Sequence, residues 1–329
     1  MASIFSNMTP KNEKKKKRKF RLGIAGIGFM GENHARIASS LSGFTLAGVY
    51  DADPIRAEIA GAKYNTRSYP DFSSLLNDVD AVVIATPTST HFEYSMQAIS
   101  AGKHLFIEKP IAATAEQGEQ IVKAAKEAGV VLSCGLIERF NPAFTVAENL
   151  IKKDKLLIIN MKRESPLPQR ITDASVVLDM MVHDLDLALK LAASPPKEFK
   201  AKGKRVKTKN IDVATVKIFF KNGIVANIES NRVSENKLRA FSAECEHSTV
   251  EADLLNRTVR QKFMPDPKAL ILEAPKLVEH DVPKVDQITL ELKDFISCCK
   301  RGAEPLVTGG DALDVLVLAE GIERSILKK

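Results

Sequence analysis

A short apolar run ending in three spaced glycines constrains this chain more than any other stretch. Leu22, Gly23, Ile24 and Ala25 lead into Gly26, Gly28 and Gly31, a G-x-G-x-x-G spacing, and residues 32–41 read as a helix. Strand, glycine turn and helix form the context in which such glycines bind a dinucleotide. Gly26 permits the tight turn, Gly28 lets the backbone approach a pyrophosphate, and Gly31 lets the helix pack on the strand. Phe29 and Met30 complete the turn, where the N–H groups at the helix start meet negative phosphates. The spacing alone is weak. A second strand over residues 44–50 ends in Asp51, about 20–25 residues past the glycines, where an acid meets ribose hydroxyls. This pairing predicts a Rossmann-type, doubly wound parallel sheet over residues 20–134. Because Asp51 repels a 2′-phosphate, the expected cofactor is NAD rather than NADP.

The chain has 329 residues, enough for two cored domains, and 44% hydrophobic and 27% charged residues fit a soluble globular protein. No stretch approaches the ~18 consecutive apolar residues of a membrane span. The net charge of +7 resides almost wholly in Lys11, Lys14, Lys15, Lys16, Lys17, Arg18 and Lys19, opposed there only by Glu13. Residues 1–19 are therefore expected to be a disordered, solvated basic tail, and the near-neutral remainder argues against a nucleic-acid partner. The glycine-punctuated run that follows has no cleavage site, so it is not a secretory signal. Cys134, Cys245, Cys298 and Cys299 form no C-x-x-C pair. Reduced thiols in a cytoplasmic protein without a metal site are the expectation.

Further along, Asp53-Pro54 opens a helix to about Lys63, and residues 81–84 form a buried strand. That strand runs into a hydroxyl-rich loop, Thr86, Pro87, Thr88, Ser89, Thr90 and His91, expected to line the cofactor at the carboxyl edge of the sheet. Residues 104–107 form the next strand and end in Glu108-Lys109-Pro110 at the same edge, where Glu108 and Lys109 are expected to contact the cofactor. Residues 135–329 are expected to be an α+β domain for substrate binding and oligomerisation. Its strands at 213–220, 224–230, 239–245 and 248–253 form a mostly antiparallel, open-faced sheet, with helices near 285–300 and 311–327. Within it, residues 176–189 read as a buried helix carrying Asp179, His183 and Asp186 at i, i+4 and i+7. Three ionisable groups on one apolar helix must pair with each other, face a wet cleft or hold a metal. An Asp–His pair poised for proton transfer needs no metal.

Taken in order, the glycine motif, Glu108-Lys109-Pro110 and the Asp179, His183, Asp186 helix resemble the Gfo/Idh/MocA family of NAD(P)-dependent oxidoreductases over residues 20–325. Met181 departs from the glycine often found between that Asp and His. Residues 138–142, 166–170 and 178–186 are most similar to members that oxidise the 3-hydroxyl of UDP-N-acetylglucosamine to a ketone, which an aminotransferase then consumes. The resemblance implies a nucleotide-sugar substrate, a homo-oligomer (dimer or tetramer), a cis Lys109-Pro110 bond, and Lys109, His183 and Asp179 as the catalytic residues. Arg139 and Asn141 are expected at the substrate. The substrate's diphosphate needs cations, of which Arg163, Arg170, Arg232 and Arg239 are candidates; Arg163 and Arg170 come first because they flank the Pro-rich loop. Another sugar or polyol, inositol-like or a UDP-sugar uronic acid, is an alternative substrate. A non-catalytic cofactor sensor on the same fold is the alternative function.

Overall fold

The computed structural model describes residues 18–167, 174–264 and 274–328. Six strands, β1 (Phe20–Ala25), β2 (Phe44–Tyr50), β3 (Arg67–Ser68), β4 (Ala81–Ile84), β5 (His104–Ile107) and β6 (Leu132–Cys134), form one parallel sheet. Their order is β3-β2-β1-β4-β5-β6. The chain reverses direction across the sheet between β1 and β4, which opens a crevice at their carboxyl ends. Every residue of β4 is buried, as a strand covered on both faces requires. The covering helices are α1 (Phe29–Ser40), α2 (Pro54–Lys63), α3 (Phe72–Asp78), α4 (Thr88–Ser100) and α5 (Ala115–Ala128). Asp53 caps α2 ahead of Pro54, as its position in the sequence predicts.

A 3₁₀ turn (Ile137–Phe140) and α6 (Pro142–Ile151) lead to β7 (Leu156–Glu164). A π-helical turn (Val177–Met181) runs into α7 (Val182–Ala192). Seven more strands follow: β8 (Pro196–Lys204), β9 (Val213–Phe220), β10 (Val225–Asn231), β11 (Leu238–Cys245), β12 (Ser248–Asp253), β13 (Thr258–Phe263) and β14 (Lys276–His280). They and β7 make an eight-stranded sheet, β14-β13-β12-β11-β7-β10-β9-β8, antiparallel except where β10 runs beside β7. One apolar cluster continues from the first sheet through α6 and α7 into the second.

Two C-terminal helices, α8 (Gln287–Arg301) and α9 (Gly309–Leu327), join the halves. Although α8 comes last but one in sequence, its Leu292, Phe295, Ile296 and Cys299 pack with Leu22, Ile24 and Phe106 of the first sheet. Thr308 caps α9 in a reciprocal capping box with Asp311, and Ser133 at the end of β6 donates to the Val307 carbonyl. The chain thus returns to brace the cofactor-side sheet.

Buried ion pairs hold the second half to this frame. Arg139 donates through Nε and Nη2 to Asp186 at 2.7–3.0 Å, and Nη2 also reaches Asp311 at 3.4 Å. Removing one partner of a buried pair leaves an uncompensated charge. Arg139→Ala is therefore expected to lose ~3–5 kcal/mol of stability in urea unfolding. The substrate KM of the fraction that stays folded should be unchanged.

Candidate active site

The glycine turn sits at the carboxyl end of β1. Gly26 has φ +86°, and a Cβ there would lie 2.7 Å from the Ala85 and Thr86 backbone. A Cβ on Gly31 would lie 1.8 Å from the Gly26 carbonyl oxygen, so only glycine permits this approach of helix to strand. A Cβ on Gly28 would project into open space in front of α1, whose N-terminus has no side-chain cap. This uncapped cradle fits a pyrophosphate. Asp51, at the end of β2, accepts hydrogen bonds from the Ile27 N–H at 2.6 Å and the Asp53 N–H at 2.9 Å. It therefore fixes the turn while keeping carboxylate lone pairs for further donors.

The segment after β4 differs from the expected loop. Pro87 stands at the N-cap and α4 begins at Thr88, so Thr88 to His91 form its first turn. Thr90 Oγ1 donates to Thr86 Oγ1, and its N–H to the Pro87 carbonyl. A helix N-terminus therefore faces the crevice where hydroxyl side chains alone were expected. His91 is fully buried, with Nδ1 and Nε2 at 2.9 Å from the Pro110 and Thr86 carbonyls. Burial lowers its pKa against the pull of those carbonyls. It ties two crevice segments together and does not reach the cofactor surface.

Glu108 also points inward. Its carboxylate is buried and meets His34 Nε2 of α1 at 2.7 Å. A Cβ on Gly135 would come within 2.7 Å of it, so the packing there is close. Glu108 thus anchors α1 to the end of β5.

Lys109 lies beyond a cis Lys109-Pro110 bond, as expected, and crosses to the second half. Its Nζ donates to the Asp179 carbonyl at 2.7 Å and to Asp179 Oδ1 at 2.9 Å. The carboxylate that was expected to orient His183 holds Lys109 instead. Asp179 lies in the π turn and His183 in α7, so the uninterrupted α-helical register assumed for the pair does not hold. Asp186 departs from the expected stripe, turning inward to Arg139, and Asp184 is likewise buried, against Arg163. His183 is half-buried, and its Nδ1 is enclosed with no hydrogen-bond partner among the described residues. Burial, then the charges of Lys109, Arg163 and Arg239, hold its pKa well below the usual histidine range. The ring is neutral at physiological pH.

The expected substrate contacts separate sharply. Arg139 is enclosed with Asp186. Asn141 is buried as the cap of α6 and donates to Glu138 and the Leu254 carbonyl. Arg163 donates to both oxygens of Asp184 and to Glu138 Oε1, and Arg232 pairs with Asp212. These four side chains therefore serve the frame. Charge alone could not reveal this, because their acids lie far away in sequence. Arg170 lies outside the described residues. Arg239 is half-exposed and donates to Glu138 Oε1 at 3.0 Å. Glu138, which joins Arg163 to Arg239, was not anticipated as a site residue; its place just after β6 was the available signal.

Residues 20–136 match the oxidoreductase family with an NAD-binding Rossmann fold, and residues 160–251 match the GFO/IDH/MocA C-terminal domain. The chain is 32% identical to UDP-N-acetylglucosamine 3-dehydrogenase of Acidithiobacillus ferrooxidans, over 84% of this chain and 88% of that protein. It belongs to the Gfo/Idh/MocA oxidoreductase family. It is a dehydrogenase, and its cofactor is NAD. A solved structure of the Acidithiobacillus ferrooxidans enzyme superposes with TM-score 0.88 at 30% identity, covering 94% of this chain and 98% of that one. Myo-inositol 2-dehydrogenase of Thermotoga maritima is 26% identical over 94% of this chain and 97% of its own length.

Proposed function

We propose that this family member oxidises a sugar hydroxyl to a ketone, and that the hydroxyl is the 3-OH of UDP-N-acetylglucosamine. The chemistry rests chiefly on one observation: His183, whose Nδ1 has no hydrogen-bond partner among the described residues, lies four residues beyond the Asp179 that holds Lys109. Lys109 itself is fixed by Asp179 at the carboxyl edge that carries the glycine turn. Residues 20–134 provide the cofactor side and residues 135–329 the substrate face and subunit contacts. Gly26, Gly28, Phe29, Met30, Gly31, Asp51, Thr86, Pro87 and Thr88 form the cofactor surface.

When bound there, NAD supplies the acceptor for the hydride that leaves the carbinol carbon. His183 takes the hydroxyl proton, for which a neutral imidazole has the required lone pair. The Lys109 ammonium donates to the same oxygen and stabilises its developing negative charge. Asp179 keeps Lys109 aimed. The ketone formed is a carbonyl compound of the kind a separate aminotransferase consumes.

The match to the Acidithiobacillus ferrooxidans enzyme, at 32% identity over 84% of this chain, supports the nucleotide sugar; an inositol 2-dehydrogenase of Acidothermus cellulolyticus is 33% identical, but over 56% of this chain. NADH formation measured across UDP-N-acetylglucosamine, other UDP-sugars, myo-inositol and scyllo-inositol tests the reading. The highest kcat/KM is expected with UDP-N-acetylglucosamine. Turnover of an inositol with none of any nucleotide sugar would overturn it.

A further inference from the structure

A nucleotide sugar carries two negative phosphates that the Rossmann turn, occupied by NAD, does not serve. Of the four arginines expected to meet them, Arg170 lies outside the described residues and Arg163 and Arg232 are committed elsewhere, as is Arg139. The side chains of Arg139, Arg163 and Arg232 are 3%, 5% and 1% exposed and sit in buried ion pairs. Arg239, by contrast, is 39% exposed and makes one hydrogen bond among the described residues, from Nη1 to Glu138.

Its position follows from strand register. Arg239 on β11 lies directly opposite Arg163 on β7. Residues directly opposite across a strand pair share a face. Arg163 reaches Asp184 of α7, so Arg239 projects from the same α7 side of the sheet. His183, also on α7, feels the charge of Arg239 together with that of Lys109. Glu138 is shared, its Oε1 accepting from Arg163 at 2.9 Å as well as from Arg239. One edge of the guanidinium is held and the edge bearing Nε and Nη2 remains for an anion. A planar fork of this kind matches two phosphate oxygens.

We infer that Arg239, aimed by Glu138, is the cation that anchors the substrate's diphosphate beside His183 and Lys109. This rests on the proposed nucleotide-sugar substrate and adds the residue that distinguishes it from an uncharged polyol.

The test compares wild type, Arg239→Ala and Arg239→Lys in two measurements that do not depend on each other. The first is calorimetric binding of UDP to the NAD-loaded enzyme. The second is steady-state turnover of UDP-N-acetylglucosamine and myo-inositol. For Arg239→Ala, UDP affinity should fall and the KM for the nucleotide sugar rise, each by about 10- to 100-fold, the worth of a charge-assisted bond. The KM for NAD should stay at the wild-type level, and any KM for myo-inositol should rise far less than that for the nucleotide sugar. Arg239→Lys should recover part of the loss, whereas a merely structural arginine would instead shift the melting temperature and both KM values together. Wild-type oxidation of UDP-N-acetylglucosamine with unchanged KM in Arg239→Ala overturns the anchor and leaves the function intact. Weakened UDP binding in Arg239→Ala, with no turnover of any UDP-sugar by wild type, supports the anchor and refutes the function. No UDP binding by wild type overturns both.

Discussion

Lys109→Ala is expected to lower kcat by ~10²–10⁴, the usual worth of a positioned acid–base or oxyanion group. The loss should fall on kcat, because the interaction strengthens only as the hydroxyl oxygen gains negative charge. NAD binding should change little, since the proposed cofactor surface centres on the glycine turn and Asp51, and Lys109 Nζ is bonded to Asp179. Stability should also change little. The Lys109 and Asp179 side chains are partly exposed, and ion pairs open to solvent contribute ~0–1 kcal/mol. Asp179→Asn keeps the backbone carbonyl that accepts from Lys109 Nζ and an amide oxygen that can accept as well, so its kcat should fall less. Melting temperature and kcat measured on the same preparations separate catalysis from folding. A well-folded Lys109→Ala enzyme with near-normal turnover would remove Lys109 from the chemistry.

What could be read from residues alone depended on how far each interaction reaches along the chain. The glycine turn is local: Gly26 needs its positive φ and Gly31 its missing side chain because of neighbours within a few residues or one strand away. Strand β4, apolar throughout, announced burial on both faces. The Asn222-Gly223 turn likewise marked the hairpin between β9 and β10. β8 escaped notice because it is a lysine-rich edge strand whose exposed side chains follow no apolar alternation. β13 and β14, at the opposite edge, were missed for the same reason.

The site was legible in its residue types and not in its directions. A cation meant for phosphate and a cation meant for a buried carboxylate are the same letter. Arg163 and Arg239 differ only in what surrounds them: Arg163 finds Asp184 and Glu138 in the interior, and Arg239 shares Glu138 at the rim. Glu108 and His91 looked like crevice residues because they lie in crevice segments, yet each turns inward to stitch those segments together. The insertion that forms the π turn has no sequence marker as plain as a proline. Asp179 lies in that turn, and Lys109 takes the carboxylate that the helical spacing had assigned to the histidine.

His183→Ala should produce a second large effect with a different signature. Loss of the proton acceptor is expected to reduce kcat by ~10²–10⁴ at neutral pH. The wild-type rate should show no acid limb from this group near the ordinary histidine value, because burial and three nearby cations keep the ring neutral. The same shift has a consequence for folding. In the unfolded chain His183 binds a proton below pH ~6.5, whereas in the folded protein it resists doing so. The unfolded state therefore holds more protons on the acid side, and this group's contribution to stability falls as pH drops below ~6.5. His183→Ala abolishes that dependence, while His91 and His104, also lowered by burial, keep theirs. Urea unfolding of wild type and variant at pH 7 and pH 5 should thus show a smaller acid-side loss in the variant. A merely packed histidine would give the stability difference with kcat per folded enzyme unchanged. A catalytic base loses both, and retention of wild-type kcat in a folded His183→Ala protein would assign the proton to another group.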